Sequence, residues 1–171
     1  MKNLILIGFM GAGKTTIGKL LAKEKELIFV DTDERIVQEQ GKSIPDIFAE
    51  YGELYFRDLE TELLRRMQDD TAASVISVGG GMPMRKENRI LLRELGCVIY
   101  LSASKQTILE RVRNDGSRPM LNGDDLEARV EQLMKARESL YREAAHLDIR
   151  TDGRSIHQVM QIIDQETRRF S

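Results

Sequence analysis

Short apolar runs recur along the chain, separated by longer stretches in which apolar residues return at helical spacing. The runs are Leu4–Ile7, Ile28–Val30, Val75–Val78, Val98–Leu101 and, more weakly, Leu147–Ile149. Each is apolar on both faces, the pattern of a strand in a parallel sheet covered on both sides. Between them, Ile17, Leu20 and Leu21 form one stripe, and Tyr55, Leu59, Leu63 and Met67 a second. Leu126, Val130, Leu133, Leu140 and Tyr141 make a third, and Ile156, Val159, Ile162 and Ile163 a fourth. Ser43-Ile44-Pro45-Asp46 has the capping hydroxyl, early proline and first-turn acid of a helix start. Gly52 and Gly96 fall where helices end. Alternating strands and helices predict right-handed crossovers and an α/β fold: three layers, α/β/α, around a central five-stranded parallel sheet.

Ligands of such sheets bind beyond the carboxyl ends of the strands. Four groups follow strands: Gly8–Thr15, Asp31–Asp33, Gly79–Gly81 and, farther on, the turn-rich loop Asn114–Gly123. Gly8-Phe9-Met10-Gly11-Ala12-Gly13-Lys14-Thr15 fits G-x-x-x-x-G-K-[ST], between a predicted strand and a predicted helix. Glycines let backbone N–H groups converge on phosphate oxygens, and the helix offers them its positive end. Gly11, Ala12, Gly13, Lys14, Thr15 and Thr16 are therefore the candidate nucleotide contacts. Lys14 would reach the β- and γ-phosphates and the Thr15 hydroxyl a Mg²⁺ ion.

Composition narrows the classes. The chain has 171 residues, enough for one domain with its own core. Its 26 basic and 28 acidic side chains leave a net charge of -2, which predicts neither nucleic-acid nor membrane binding. No stretch approaches the ~20 apolar residues that span a bilayer, and Leu4–Ile7 breaks into a glycine loop too soon to be a signal peptide. The expectation is a soluble cytoplasmic protein. Cys97, the only cysteine, sits in an apolar run and reads as a buried structural thiol. His146 and His157 are isolated and have no metal-ligand company, and the eight methionines read as core filling.

A phosphate loop alone does not choose between GTPase, ATPase, kinase and switch. A guanine-reading Asn-Lys-x-Asp motif is absent, and Val75–Val78 ends in Gly79-Gly80-Gly81 where many ATPases have acids. Three glycines after a strand suggest close approach of a ligand to the backbone, or else a flexible turn. Asp31 and Asp33 can serve a metal and a hydroxyl, or form a helix cap with a first-turn acid; both can hold at once. Arg118 lies in the turn-rich loop, where it could reach a transferring phosphoryl group. Arg57 and Arg137 could clamp a carboxylate.

These residues resemble the shikimate kinases. The matching pieces are Gly8–Thr15, Asp31-Thr32-Asp33, Phe56-Arg57-Asp58-Leu59-Glu60, Gly79-Gly80-Gly81, Arg118-Pro119-Met120-Leu121, and Arg137 with Leu140-Tyr141-Arg142. The resemblance covers nearly the whole chain. It implies a fold like that of the nucleoside monophosphate kinases, as a single domain over 1–171. A lid at about 112–124 and a substrate-binding segment at about 33–61 go with it. It implies transfer of the ATP γ-phosphate to the 3-hydroxyl of shikimate, on the route to chorismate and the aromatic amino acids, by a monomer. Carried over, Asp31 supports the metal, Asp33 binds the shikimate hydroxyls and acts as base or orienter, and Arg57 and Arg137 clamp the carboxylate. Gly79, Gly80 and Gly81 line that pocket. Lys14, Asp33 and Arg118 form the catalytic set, with Arg111 packing on adenine and Arg154 a second adenine-side contact. Thr15 replaces the family's common Ser, and Met120 a common Leu. Another small-metabolite kinase (for gluconate or a nucleotide) and a non-catalytic nucleotide switch are the alternatives.

Overall fold

The computed structural model describes residues 2–114 and 125–170. Of the expected lid, residues 115–124, with Arg118, lie outside the described residues. The five strands are β1 (Asn3–Ile7), β2 (Ile28–Asp31), β3 (Ser74–Ser77), β4 (Gly96–Ser102) and β5 (Leu147–Arg150). They form one parallel sheet in the order β2-β3-β1-β4-β5. All five predicted runs are strands. β3, β1 and β4 are the central three and bury nearly every residue. β2 and β5 are edges, and Ile28 is exposed there despite its apolar character.

The described helices are α1 (Lys14–Lys25), α2 (Thr32–Gln40), α3 (Ile44–Tyr51), α4 (Glu53–Met67), α5 (Lys86–Leu95), α6 (Lys105–Asn114), α7 (Leu126–Ala144) and α8 (Ile156–Thr167). α1 and α8 pack together against the sheet, while α4, α5 and α7 form a second packed group with β4. Local signals explain the boundaries. Ser43 Oγ accepts from Asp46 N (3.2 Å) at the start of α3, and Gly52 (φ 87°) ends it. Asp31 caps α2, its Oδ1 accepting from Glu34 N (3.1 Å). The stripe on α4 turns slightly from its predicted position. Phe56, Leu63, Leu64 and Met67 are buried, whereas Tyr55 is exposed and stacks on Tyr51, ring centroids 4.5 Å apart, across the α3–α4 junction.

The sheet is knitted at its amino end by Asn3. Its Nδ2 donates to Leu95 O (3.0 Å), and its Oδ1 accepts from Ser74 N (2.8 Å). Gly96 lies directly opposite Asn3 in the β1–β4 register. A Cβ on Gly96 would stand 2.3 Å from Asn3 O, a backbone atom that cannot swing aside. Gly96→Ala is expected to cost about 1–3 kcal/mol through this clash, read as a lower denaturation midpoint. An unchanged midpoint would show that the two strands separate freely there.

Candidate active site

Strand order decides where the loops meet. β1 and β3 are neighbours, β2 pairs with β3, and the chain leaves β1 toward β2 but crosses from β3 over to β4. That is the switch point at which open α/β sheets bind ligands. Residues after β1, β2 and β3 line one cleft of about 570 Å³ there. It brings together Gly11, Gly13, Lys14, Thr15, Thr16, Asp31, Asp33, Arg57, Gly79, Gly80, Gly81, Arg111 and Arg137. Ala12 and Arg154 line a smaller adjoining crevice of about 170 Å³, which shares Gly13, Thr16 and Arg111 with the cleft. Thirteen of the predicted residues are thus in one cleft, two are beside it, and Arg118 lies outside the described residues. Another groove of about 590 Å³, along α7 and β5, contains none of them; its acids and bases include paired ones such as Lys105–Glu131 and Arg142–Asp148.

The phosphate loop has the backbone its glycines predict. Gly11 (φ 79°) and Gly13 (φ 94°) occupy the left-handed region, which a side chain would strain. No side chain caps α1, so the N–H groups of its first turn face the cleft without a competing side-chain acceptor. Lys14 Nζ donates to Gly8 O (2.6 Å) and Phe9 O (3.1 Å), which holds the ammonium over the loop. Thr15 and Asp31 offer a hydroxyl and a carboxylate in the same cleft. Hard oxygen donors of this kind suit Mg²⁺, which takes its remaining ligands from water and phosphate.

The triple-glycine loop forms the opposite wall. Gly79 N donates to Thr32 Oγ1 (3.2 Å), and Gly80 O accepts from Tyr141 Oη (2.6 Å). A Cβ on Gly79 would lie 2.6 Å from Asp33 Oδ1, and one on Gly81 would lie 2.5 Å from the Arg57 guanidinium nitrogens. One on Gly80 would lie 3.1 Å from Arg137 Nη1. The glycines are therefore what lets one acid and two arginines converge. Arg137 comes from α7 and sits 5.9 Å above the Phe9 ring. The result is two cations and an acid around a cavity, a geometry fit for a ligand that bears a carboxylate and hydroxyls.

Two residues that shape this wall had no role in the sequence reading. Tyr141 appeared as a core position and within the family-like segment Leu140-Tyr141-Arg142, with no role given, yet its hydroxyl holds the glycine loop. Glu60 is fully buried, and its Oε1 accepts from Arg57 Nη1 (2.7 Å) while its Oε2 has no hydrogen-bond partner. An acid three residues after Arg57, on the face that buries Phe56, Leu63 and Leu64, was the available signal. Burial pushes the Glu60 carboxyl up to about 7, against the pull of Arg57 and with the help of Asp33. Arg57 itself is raised, because Glu60 and Glu53 outweigh its desolvation.

The sign of the Glu60 effect follows from linkage. A folded value above the unfolded one means the folded state holds the extra proton. Its stabilisation is complete below the unfolded value and is lost as pH rises through about 7. The stability of the unmutated protein minus that of Glu60→Gln should fall by about 2–3 kcal/mol from pH 5 to pH 8. Denaturant titrations at each pH check it, and a flat difference rules out a buried, protonated Glu60.

Comparison with known proteins agrees with this geometry. The shikimate kinase family model matches residues 10–167. A shikimate kinase of Bacillus anthracis is 44% identical over 160 residues, 94% of each chain. One from Thioalkalivibrio sulfidiphilus is 45% identical over 163 residues, covering 95% of this chain and 85% of its own. The solved structure of Acinetobacter baumannii shikimate kinase in complex with shikimate superposes with a TM-score of 0.90 at 36% identity, covering 100% of this chain and 95% of the other. With a P-loop, a triple-glycine wall and paired arginines in one cleft, and relatives of this identity along its length, the chain belongs to the shikimate kinase family.

Proposed function

We propose that the chain transfers the γ-phosphate of ATP to the 3-hydroxyl of shikimate, giving shikimate 3-phosphate and ADP. The product feeds the synthesis of chorismate and the aromatic amino acids. The carrying observation is that Asp33, Arg57 and Arg137 converge on Gly79–Gly81 in the same cleft as Lys14. That supports binding of an anionic hydroxy acid beside a triphosphate site.

The residues take the following parts. Amides of Gly11–Thr16 and Lys14 hold the triphosphate, with Lys14 exchanging the Gly8 and Phe9 carbonyls for phosphate oxygens. Arg57 and Arg137 bind the substrate carboxylate and fix its orientation. Asp33, held against Gly79, receives the hydroxyl and aligns it or takes its proton. Thr15 and Asp31 would hold Mg²⁺, which when bound neutralises phosphate charge. Arg111, Arg154 and Ala12 line the adenosine side. We assign Arg118 to the transferring phosphoryl group on the resemblance of its sequence segment, with the lid at about 112–124 and the substrate segment at about 33–61. We take the enzyme to act as a monomer, on the family resemblance alone. Among the described residues no helix is long and apolar enough to cross a membrane, and we place the enzyme in the cytoplasm.

The test is ADP release from ATP with shikimate, gluconate or nucleoside monophosphates added separately. Release with shikimate, and only with Mg²⁺ present, is expected; release with another acceptor alone keeps the kinase and discards the carboxylate clamp. ATP-binding protein that turns over no acceptor would favour a nucleotide switch. Within that assay, Arg137→Ala should raise the shikimate KM about 10–100-fold, the loss of a charge-assisted contact. Asp33→Asn should lower kcat about 10²–10⁴-fold with the ATP KM little changed. The reverse pattern would exchange their roles.

A further inference from the structure

Outside the cleft, the Asp152 carboxylate gathers a dense set of hydrogen bonds. Asp152 lies in the loop between β5 and α8, 45 and 48 residues from Thr107 and Ser104. Its oxygens accept from Ser104 N (3.0 Å to each), Ser104 Oγ (2.9 Å), Thr107 Oγ1 (2.5 Å) and Arg150 Nε (2.8 Å). Ser104 in turn caps α6, its Oγ accepting from Thr107 N (3.2 Å). A carboxylate from a distant loop thus supplies the anion that the positive end of α6 favours. Burial acts against its charge, but the hydroxyls, the amide and Arg150 outweigh it and hold Asp152 below the usual carboxylate range.

Geometry gives this anchor a consequence for nucleotide binding. Thr107 and Arg111 stand four residues apart on α6, on the same face. Thr107 meets Asp152, and one turn on, Arg111 Nη1 donates to Thr151 Oγ1 (3.4 Å) and Gly11 O (2.9 Å). Thr151 is fixed independently to β4, its N and Oγ1 both donating to Ser102 O (2.8 and 3.1 Å). Two rungs therefore join α6 to the β5–α8 loop. The space just beyond the second is the crevice lined by Ala12, Thr16, Arg111, Thr151 and Arg154. Ile108, Leu109 and Val112 bury one face of α6, and the first rung fastens its amino end, one turn before Arg111 on the crevice wall.

We propose that Asp152 is the positioning residue of the adenosine side of the nucleotide site: by tying the β5–α8 loop to the start of α6 it sets Arg111 and so the affinity for the nucleoside, without touching phosphate or shikimate. This rests on the reading of the crevice as the adenosine side, and the test separates the two.

Asp152→Asn keeps the size of the side chain but turns an amide donor toward a ring of donors. The full-length variant should show an ATP KM and an ADP Kd raised about tenfold, the loss of one charge-assisted contact. Its kcat and shikimate KM should stay within about twofold. Inorganic tripolyphosphate, which has no nucleoside, should bind as tightly as before, and that separates positioning from general loss of structure. Thr107→Val should give a weaker form of the same pattern and Thr107→Ser should restore it, which keeps the test open should Asp152→Asn not fold. ADP and tripolyphosphate weakened together, or a lower melting temperature with ADP affinity intact, overturns the proposal. Arg111→Ala is the control on the crevice: weaker ADP binding there but not in Asp152→Asn refutes the role of Asp152 alone. ADP binding unchanged by Arg111→Ala refutes the adenosine-side reading itself.

Discussion

At the carboxyl end of β3 there is no room for a side chain. Each position of Gly79-Gly80-Gly81 is approached from outside by a charged group: Asp33 at the first, Arg137 at the second and Arg57 at the third. Added Cβ atoms would stand 2.5–3.1 Å from those groups. The atoms displaced would be the tips of flexible side chains, so the fold could absorb the change while the site could not. The loop is also where the two halves of the cleft touch. β3 lies between β2, which delivers Asp33, and β1, which delivers the phosphate loop. Everything the site does with its second substrate depends on backbone there being bare.

Bare backbone has to be held, and a buried polar network does it. The Thr61 hydroxyl donates to Asn88 Oδ1 (2.7 Å), and Asn88 Nδ2 donates to Met82 O (2.9 Å). Arg89 Nη1 donates to Pro83 O (2.8 Å) and Met84 O (2.9 Å). The short 3-10 turn Met82–Met84, which follows the glycines directly, is thereby fastened to α4 and α5. Buried polar groups of this kind are costly unless satisfied, and satisfied ones fix a single arrangement. Among the described residues, two side-chain atoms depart from that rule: Arg89 Nε, with only the Glu143 carboxylate at 3.6 Å, and Glu60 Oε2, whose sister oxygen is paired to Arg57. An imperfectly satisfied carboxylate in a dry wall is tolerable because it can take a proton, and its raised value is the expression of that.

The parts legible in the sequence are those where one local rule decides. Strands of the sheet show as apolar runs because both faces are covered, and the phosphate loop shows because its spacing, glycines and flanking elements all have one reading. Even there the edges slip: Ile28 is apolar but exposed, because strand chemistry at an edge does not report burial. α5 is absent from the predicted stripes; its buried face carries Asn88 and Arg89, which bond the turn after the glycines, beside Leu92 and Leu95. Glu60 and Tyr141 escaped for a related reason. Their roles come from which helix faces which loop; an acid on the apolar face of α4 hints at Glu60, but neither spacing nor residue type marks Tyr141. Asp152 is the extreme case: apart from Arg150, its donors lie 45 and 48 residues away in sequence.

The phosphate loop itself reaches the opposite wall of the cleft. Phe9 is a buried residue of that loop, and its two ends do different work. Its carbonyl accepts from Lys14 Nζ (3.1 Å), while its ring lies under the Arg137 guanidinium (5.9 Å). A cation over an aromatic face is held by the ring quadrupole, at about 0.5–2 kcal/mol according to exposure. One residue thus touches both Lys14 and Arg137. The connection needs no chain of intermediates across the protein. It follows from β1 and β3 being neighbours, which puts the wall for one ligand a single side chain away from the cradle for the other.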